Sequence, residues 1–295
     1  KSEIESDEIT KKIGELLFKR GPDDQIALNL EAGKFIFSRL SIIDLSEKSS
    51  QPMSINNEKL TIMNNGEIYN YRELKNDFLN NETFNSDGDT EVFLKLWEKY
   101  GINSLKKLRG MFAFLIYDKS EEKIYFGRDP LGIKPLFFIS EGNDLIISSE
   151  TKILRGIGFS TFEKNNLQEI LMYGSAGDDR TGLRSVNRCI PGITYIFDLK
   201  RRKLTKNYLN IQDNKKYKPS VKGPQKISDY VEKELKKSVE LHLRSDVGYS
   251  IQLSGGIDSS LITALATIQT QKSQKTFGLD IEDSPQNEKW ARDLV

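Results

Sequence analysis

Between residues 7 and 20 the apolar positions Ile9, Ile13, Leu16 and Leu17 recur at helical spacing behind Ser6 and Asp7. Gly21-Pro22 ends the run, so one amphipathic helix is predicted there. The period then shortens to two. Runs at 25–30 and 35–43, separated by the turn Glu31-Ala32-Gly33-Lys34, and a run at 59–65 read as strands of a half-buried sheet. Two helical stretches follow, at 70–78 and 89–100. Four apolar runs at 111–118, 123–129, 135–140 and 145–150, divided by charged or glycine-containing turns, predict an antiparallel meander.

Near residue 200 the pattern changes. Residues 200–226 are poor in apolar side chains and rich in lysine, which marks a connection between domains. Beyond it come a helix at 228–245, a strand at 247–254, a glycine turn, a helix at 259–268 and a strand at 275–281. Alternating helix and strand is the pattern of a parallel, doubly wound sheet.

Composition narrows the chemistry. The 295 residues carry 44 Lys and Arg against 43 Asp and Glu, a net charge of +1. No basic footprint for nucleic acid or an anionic membrane surface follows from that balance, and small polar metabolites are the expected partners. One cysteine and one histidine exclude an internal disulfide framework, and make a histidine-built metal centre or a Ser/His/Asp triad a poor explanation. No apolar run is long enough to span a bilayer and no secretory pattern opens the chain, so a soluble, cytoplasmic protein is expected.

The sharpest local signal is Leu253-Ser254-Gly255-Gly256-Ile257-Asp258-Ser259-Ser260, between an apolar strand and a periodic helix. Such a turn aims unpaired backbone N–H groups and the positive end of the helix dipole at one point, where anions bind. No lysine follows the glycines, so this is not the G-x-x-x-x-G-K-S loop. The segment S-G-G-x-D-S resembles the loop of the ATP pyrophosphatases, which cleave ATP between its α and β phosphates. That resemblance implies ATP held at Leu253, Ser254, Gly255, Gly256, Asp258 and Ser259, with Leu279 against the adenine and Mg²⁺ reached through Asp258.

Upstream lie Arg20-Gly21-Pro22-Asp23, Arg39-Leu40-Ser41-Ile42-Ile43-Asp44, Asn65-Gly66-Glu67-Ile68-Tyr69-Asn70 and Asp87-Gly88-Asp89-Thr90-Glu91. With them stand the segments 110–114, 127–138 and 148–154. An amide hydrolase needs donors for a tetrahedral oxyanion, and an Asn side chain beside a glycine N–H, as in Asn65-Gly66, supplies two. Free glutamine also carries an ammonium, suited to Glu67 and Asp89, and a carboxylate, suited to Arg39. Singly, each residue has a bland reading: a hairpin turn, a surface acid, the partner of a structural acid.

Together, in this order, the segments resemble the glutaminase domain of glutamine-hydrolysing asparagine synthetases. The resemblance implies an α+β N-terminal-nucleophile sandwich, antiparallel sheets flanked by helices, over residues 1–205. It further implies a linker at 206–226 and the start of an α/β doubly wound ATP-pyrophosphatase domain at 227–295. Oxyanion donors at Asn65 and Gly66 and glutamine contacts at Arg39, Leu40, Ile42, Glu67 and Asp89 come with it. So does amidation of aspartate through a β-aspartyl-AMP intermediate, with ATP and Mg²⁺, in an enzyme for which a homodimer is compatible. The family's nucleophile is an N-terminal cysteine, whereas this chain opens with Lys1; Cys189 and His242 are read as packing residues. A fragment at both termini is therefore expected. The rivals are amidation of another carboxylate, as in glycan or β-lactam formation, and a non-catalytic module that senses glutamine or nucleotide.

Overall fold

The structure is a computed structural model and describes residues 3–158, 160–177, 179–208 and 223–278. The chain divides into two compact units, Lys1–Asp213 and Asn214–Val295.

Unit 1 opens with helix α1 (Glu3–Leu17), then the hairpin β1 (Asp24–Leu30) and β2 (Gly33–Arg39). Strands β3 (Met53–Ile55) and β4 (Leu60–Ile68) lead to helices α2 (Tyr71–Phe78) and α3 (Asp89–Tyr100). Next come β5 (Gly110–Asp118), β6 (Lys123–Arg128), β7 (Phe137–Glu141) and β8 (Asp144–Ser148). Helices α4 (Thr151–Gly156) and α5 (Lys164–Tyr173) precede β9 (Asn187–Arg188), β10 (Ile193–Asp198) and β11 (Lys203–Tyr208).

The central sheet is six-stranded and antiparallel, in the order β11-β10-β6-β5-β4-β3. Its middle strand β5 has both faces covered, which explains a nearly unbroken apolar run. Phe112, Phe114 and Ile116 join one core beneath α2 and α3, while Ala113, Leu115 and Tyr117 join a second core against β2 and β7. In the first core Phe93 and Trp97 of α3 lie on Phe114 and Tyr125, with ring centroids 5.5 Å and 5.0 Å apart in the closest pairs. Burial of such a ring contributes about 1.5–3 kcal/mol. The second core is closed by the β1–β2 hairpin and by the three-stranded sheet β8-β7-β9. Outside that layer α1 packs on α4 and β2. Helices therefore flank antiparallel sheets, as the resemblance implied.

The expected meander is corrected. β5 and β6 pair in the central sheet and β7 and β8 pair in the other; the neighbour of β6 is β10, not β7. The chain leaves the central sheet at Asp129, where Phe112 and the following loop donate to its carboxylate, and starts the second layer at Phe137. Helix α1 begins at Glu3, so Ser6 and Asp7 lie inside it and do not cap it. Strands β3, β9, β10 and β11 and helices α4 and α5 had no counterpart among the expected elements.

Unit 2 contains α6 (Pro224–His242), β12 (Ile251–Gln252), α7 (Ile257–Thr270) and β13 (Thr276–Phe277). β12 and β13 are parallel and α7 joins them, a βαβ crossover with shorter strands than the apolar runs suggest. Leu253 donates its N–H to Phe277 and extends the pairing to the glycine turn. Among the described residues no helix is long and apolar enough to cross a membrane.

Candidate functional site

Asn65, Gly66 and Glu67 are consecutive on β4, opposite Ala113, Phe112 and Met111 of β5. Period-two alternation gives Asn65 and Glu67 a common face, shared with Met63, which packs against the second core. Between them only glycine fits. A Cβ on Gly66 would lie 2.0 Å from the Met111 carbonyl oxygen and 2.6 Å from Phe112 Cα. The Asn65 amide Nδ2 donates to Ser149 Oγ at 3.4 Å, a long bond that leaves the group easily redirected.

Asp89 is the first residue of α3 and is 6% exposed. Its Oδ2 accepts the Ile68 N–H at 2.6 Å, which ties the start of α3 to the end of β4. Burial raises the Asp89 carboxyl to about 6; repulsion from Glu67 adds to the rise and the Ile68 N–H offsets part of it. Glu67 is likewise raised by burial, with Lys134 opposing. Two acids disposed to hold protons in one place suit a cationic ligand, because an ammonium removes both their repulsion and their desolvation.

Arg39 ends β2 and is 8% exposed. Its Nη1 donates to the Ser46 carbonyl at 2.9 Å and to Ser50 Oγ at 3.3 Å, and its Nη2 donates to the Asp44 carbonyl at 2.6 Å. The guanidinium is thus fixed by the 44–50 loop, with fewer donors left for a ligand than five. Asp44 organises that loop by accepting from Ser46 N, Ser49 Oγ and Asp87 N. Burial pushes its carboxyl up, but those bonds outweigh it and hold the group well below the usual carboxylate range.

These residues converge. Arg39, Leu40, Ile42, Asn65, Gly66, Glu67 and Asp89, the whole set expected to contact glutamine or its oxyanion, line one cavity of about 980 Å³. Leu40 itself is 57% exposed. Two further lining residues, Lys134 and Ser149, were not singled out from sequence. Both lie in segments that match the family, 127–138 and 148–154, but their residue types carry no signal by themselves. Glu91 of the same Asp89-Thr90-Glu91 segment is structural: its carboxylate accepts from Asn85 N, Ser86 N and Ser86 Oγ.

Cys189 does not belong to the site. It is 0% exposed within the second core, and burial pushes its thiol far above the usual range. His242 ends α6 with Nδ1 bonded to the Ser238 carbonyl, a helix-terminal role.

In unit 2, Gly255 has φ +74, a left-handed value that favours glycine, and Gly256 precedes α7 with extended backbone. No side chain caps α7, so its first N–H groups are open. Ser254 and Ser259 hydroxyls lie 3.1 Å apart, Ser259 Oγ accepts the Ser254 N–H at 3.2 Å, and Leu253 is buried beneath them. Ser254, Gly256 and Asp258 are exposed. The loop is an uncapped cradle facing outward, as phosphate requires. Among the described residues no three His, Cys, Asp or Glu side chains cluster to hold a metal unaided. The donor set fits Mg²⁺ brought with nucleotide phosphates, with Asp258 offering one carboxylate. Leu279 lies outside the described residues. Gly255→Val should destabilise unit 2 by about 1–2 kcal/mol, which urea denaturation checks.

Comparison with known proteins gives the class. The chain belongs to the glutamine amidotransferase domain family, whose model matches residues 1–209, and residues 230–295 match the asparagine synthase model. It is 35% identical over 94% of its length to asparagine synthetase [glutamine-hydrolyzing] 1 of Bacillus subtilis. It is 34% identical over 95% of its length to putative asparagine synthetase [glutamine-hydrolyzing] 2 of Methanocaldococcus jannaschii. The chain spans 43% of the first relative and 58% of the second. It is also similar to amidase chyE of Penicillium rubens, 27% identical over 93% of this chain and 40% of that one. Among solved structures, the glutamine phosphoribosylpyrophosphate amidotransferase of B. subtilis aligns with a TM-score of 0.44, 21% identity, and 80% of this chain against 50% of that chain.

Proposed function

We propose that unit 1 hydrolyses the side-chain amide of glutamine and that unit 2 begins an ATP-dependent ligase that transfers the ammonia to aspartate. The observation that carries the reading is the meeting of Arg39, Asn65, Gly66, Glu67 and Asp89 at one cavity, from three separate segments.

Glu67 and Asp89 hold the α-ammonium and Arg39 holds the α-carboxylate, which leaves the side-chain amide beside Asn65-Gly66. A thiol adds to the amide carbon; the Asn65 amide and the Gly66 N–H stabilise the oxyanion. The C–N bond then breaks, ammonia leaves with a proton, and water releases glutamate from the thioester. Cys189 is too buried to be that thiol, so the reading takes the nucleophile from outside these 295 residues.

In unit 2 the backbone of Gly255 and Gly256 and the hydroxyls of Ser254 and Ser259 would hold the β and γ phosphates of ATP, and Asp258 would hold Mg²⁺. Mg²⁺ supplies neutralisation of phosphate charge. The aspartate β-carboxylate attacks the α-phosphorus, pyrophosphate departs, and ammonia displaces AMP from the acyl carbon. The relatives named asparagine synthetase support aspartate as acceptor.

The test is to supply the full-length protein that carries these residues, rather than this segment alone, with ATP, Mg²⁺, aspartate and either glutamine or ammonia, and to measure pyrophosphate, asparagine and glutamate. Stoichiometric pyrophosphate and asparagine are expected from ammonia. Pyrophosphate formed only with a different carboxylate would overturn the acceptor; none with any carboxylate would overturn the ligase.

A further inference from the structure

Asp129 is buried, and its carboxylate accepts N–H bonds from Leu131 at 3.1 Å, Ile133 at 2.9 Å, Lys134 at 3.1 Å and Phe112 at 3.3 Å. Four backbone donors compensate a buried charge and fix the 129–134 loop as a rigid arch. The Phe112 bond anchors the arch to the β5 residue that faces Gly66. Its last residue, Lys134, is thereby delivered to the same cavity as Glu67, Asp89 and Arg39.

The Lys134 side chain is half-buried, yet among the described residues it joins no hydrogen bond and no ion pair within 4.0 Å. It still senses its surroundings. Burial lowers its pKa; the charges of Glu67 and Asp129 oppose the fall and Arg20 adds to it. The Glu67 carboxylate in turn has no hydrogen-bond partner among the described residues and is held back from protonation by Lys134. Two opposite charges that feel each other across a cavity without touching leave a gap with one negative and one positive end. A free amino acid matches such a gap, its ammonium toward Glu67 and its carboxylate toward the lysine. Arg39 alone serves that carboxylate less fully than its type suggests, because Ser46, Ser50 and Asp44 occupy three of its donor contacts.

We propose that Lys134 is a specificity-determining residue of the amino-acid pocket, its ammonium contacting the α-carboxylate of the bound zwitterion opposite Glu67. The inference rests on the glutamine reading above, and it adds a reason why the pocket would reject amides that lack a carboxylate. The Asp129 arch is part of the device: Lys134→Met keeps the backbone bond to Asp129 and removes only the charge.

Titration calorimetry with L-glutamine and with 4-aminobutanamide, its decarboxylated analogue, tests this in the wild-type protein and in K134M and K134R. The wild type should prefer glutamine. K134M should lose about tenfold or more in glutamine affinity with little change toward the analogue, and K134R should recover most of the loss. Thermal melts establish that each variant is folded; should K134M be unstable, K134Q replaces it under the same criterion. An undiminished preference for glutamine in the folded charge-free variant overturns the role of Lys134 while the glutamine reading stands. A wild-type protein that binds neither compound overturns both.

Discussion

Asp89→Asn should fold, should be more stable than wild type at pH 8, and should bind glutamine about 100-fold more weakly. The carboxyl rises from 3.8 to about 6 because it is buried and faces Glu67. A rise of about two pH units corresponds to about 3 kcal/mol. The sign follows from linkage: the native state holds this proton more tightly than the unfolded chain, so the penalty is absent below about pH 4. It grows between pH 4 and 6 and is fully present above. Asparagine is never ionised, and its Oδ1 can still accept the Ile68 N–H that Asp89 accepts at 2.6 Å. The stability gap between variant and wild type should therefore open across pH 4–6 and stay level beyond it. On the proposed reading, in which Asp89 meets the α-ammonium of glutamine, binding should fall because that charge is gone. Urea denaturation at pH 4 and pH 8, with calorimetry at pH 8, reads both effects. Equal destabilisation at the two pH values would mean that the hydrogen bond, not the charge, governs this position.

Gly66→Ala should be among the most damaging single methyls in unit 1, at about 3 kcal/mol or more. The added Cβ meets backbone atoms of the adjoining strand, Met111 O at 2.0 Å and Phe112 Cα at 2.6 Å, and backbone in a central strand has little room to retreat. Gly33→Ala is the internal control: its φ is +141, yet nothing lies within 4 Å of the added atom, so only the backbone cost of about 1 kcal/mol is expected. Chemical denaturation of the pair separates collision from conformational strain. A wild-type midpoint for Gly66→Ala would show that β4 and β5 can part, which would remove the rigid wall that the proposed oxyanion site requires.

Local features of this protein are plain in its sequence. Helices α2 and α3 fall where apolar spacing puts them, the β1–β2 hairpin turns at Gly33 as anticipated, and S-G-G-x-D-S does open a helix after a strand. Partner choice is another matter. Four apolar runs in succession read as one meander because nothing local reveals that β6 turns to β10, about 70 residues on, while β7 starts another layer. Strands β10 and β11 follow loops whose turns carry no strong hairpin signal and went unanticipated. That Arg39, Glu67 and Asp89 would meet was legible from their segments, and they do line one cavity. Lys134 was not, because a lysine declares itself only when its surroundings fail to pair it. The partial commitment of Arg39 to loop carbonyls is likewise a property of the folded 44–50 loop alone.

Strand β5 touches both interiors at once, with alternate side chains in each. A shift of one position along β4 would send Phe112, Phe114 and Ile116 to the side that now takes Ala113, Leu115 and Tyr117, and neither interior could accept the exchanged volumes. The alignment of Gly66 with Phe112 is thus dictated by bulk on two sides, not by any group that handles substrate. Precision at the cavity wall is borrowed from remote fillings, so a change of girth deep in either interior is felt as a displacement at Asn65 and Glu67.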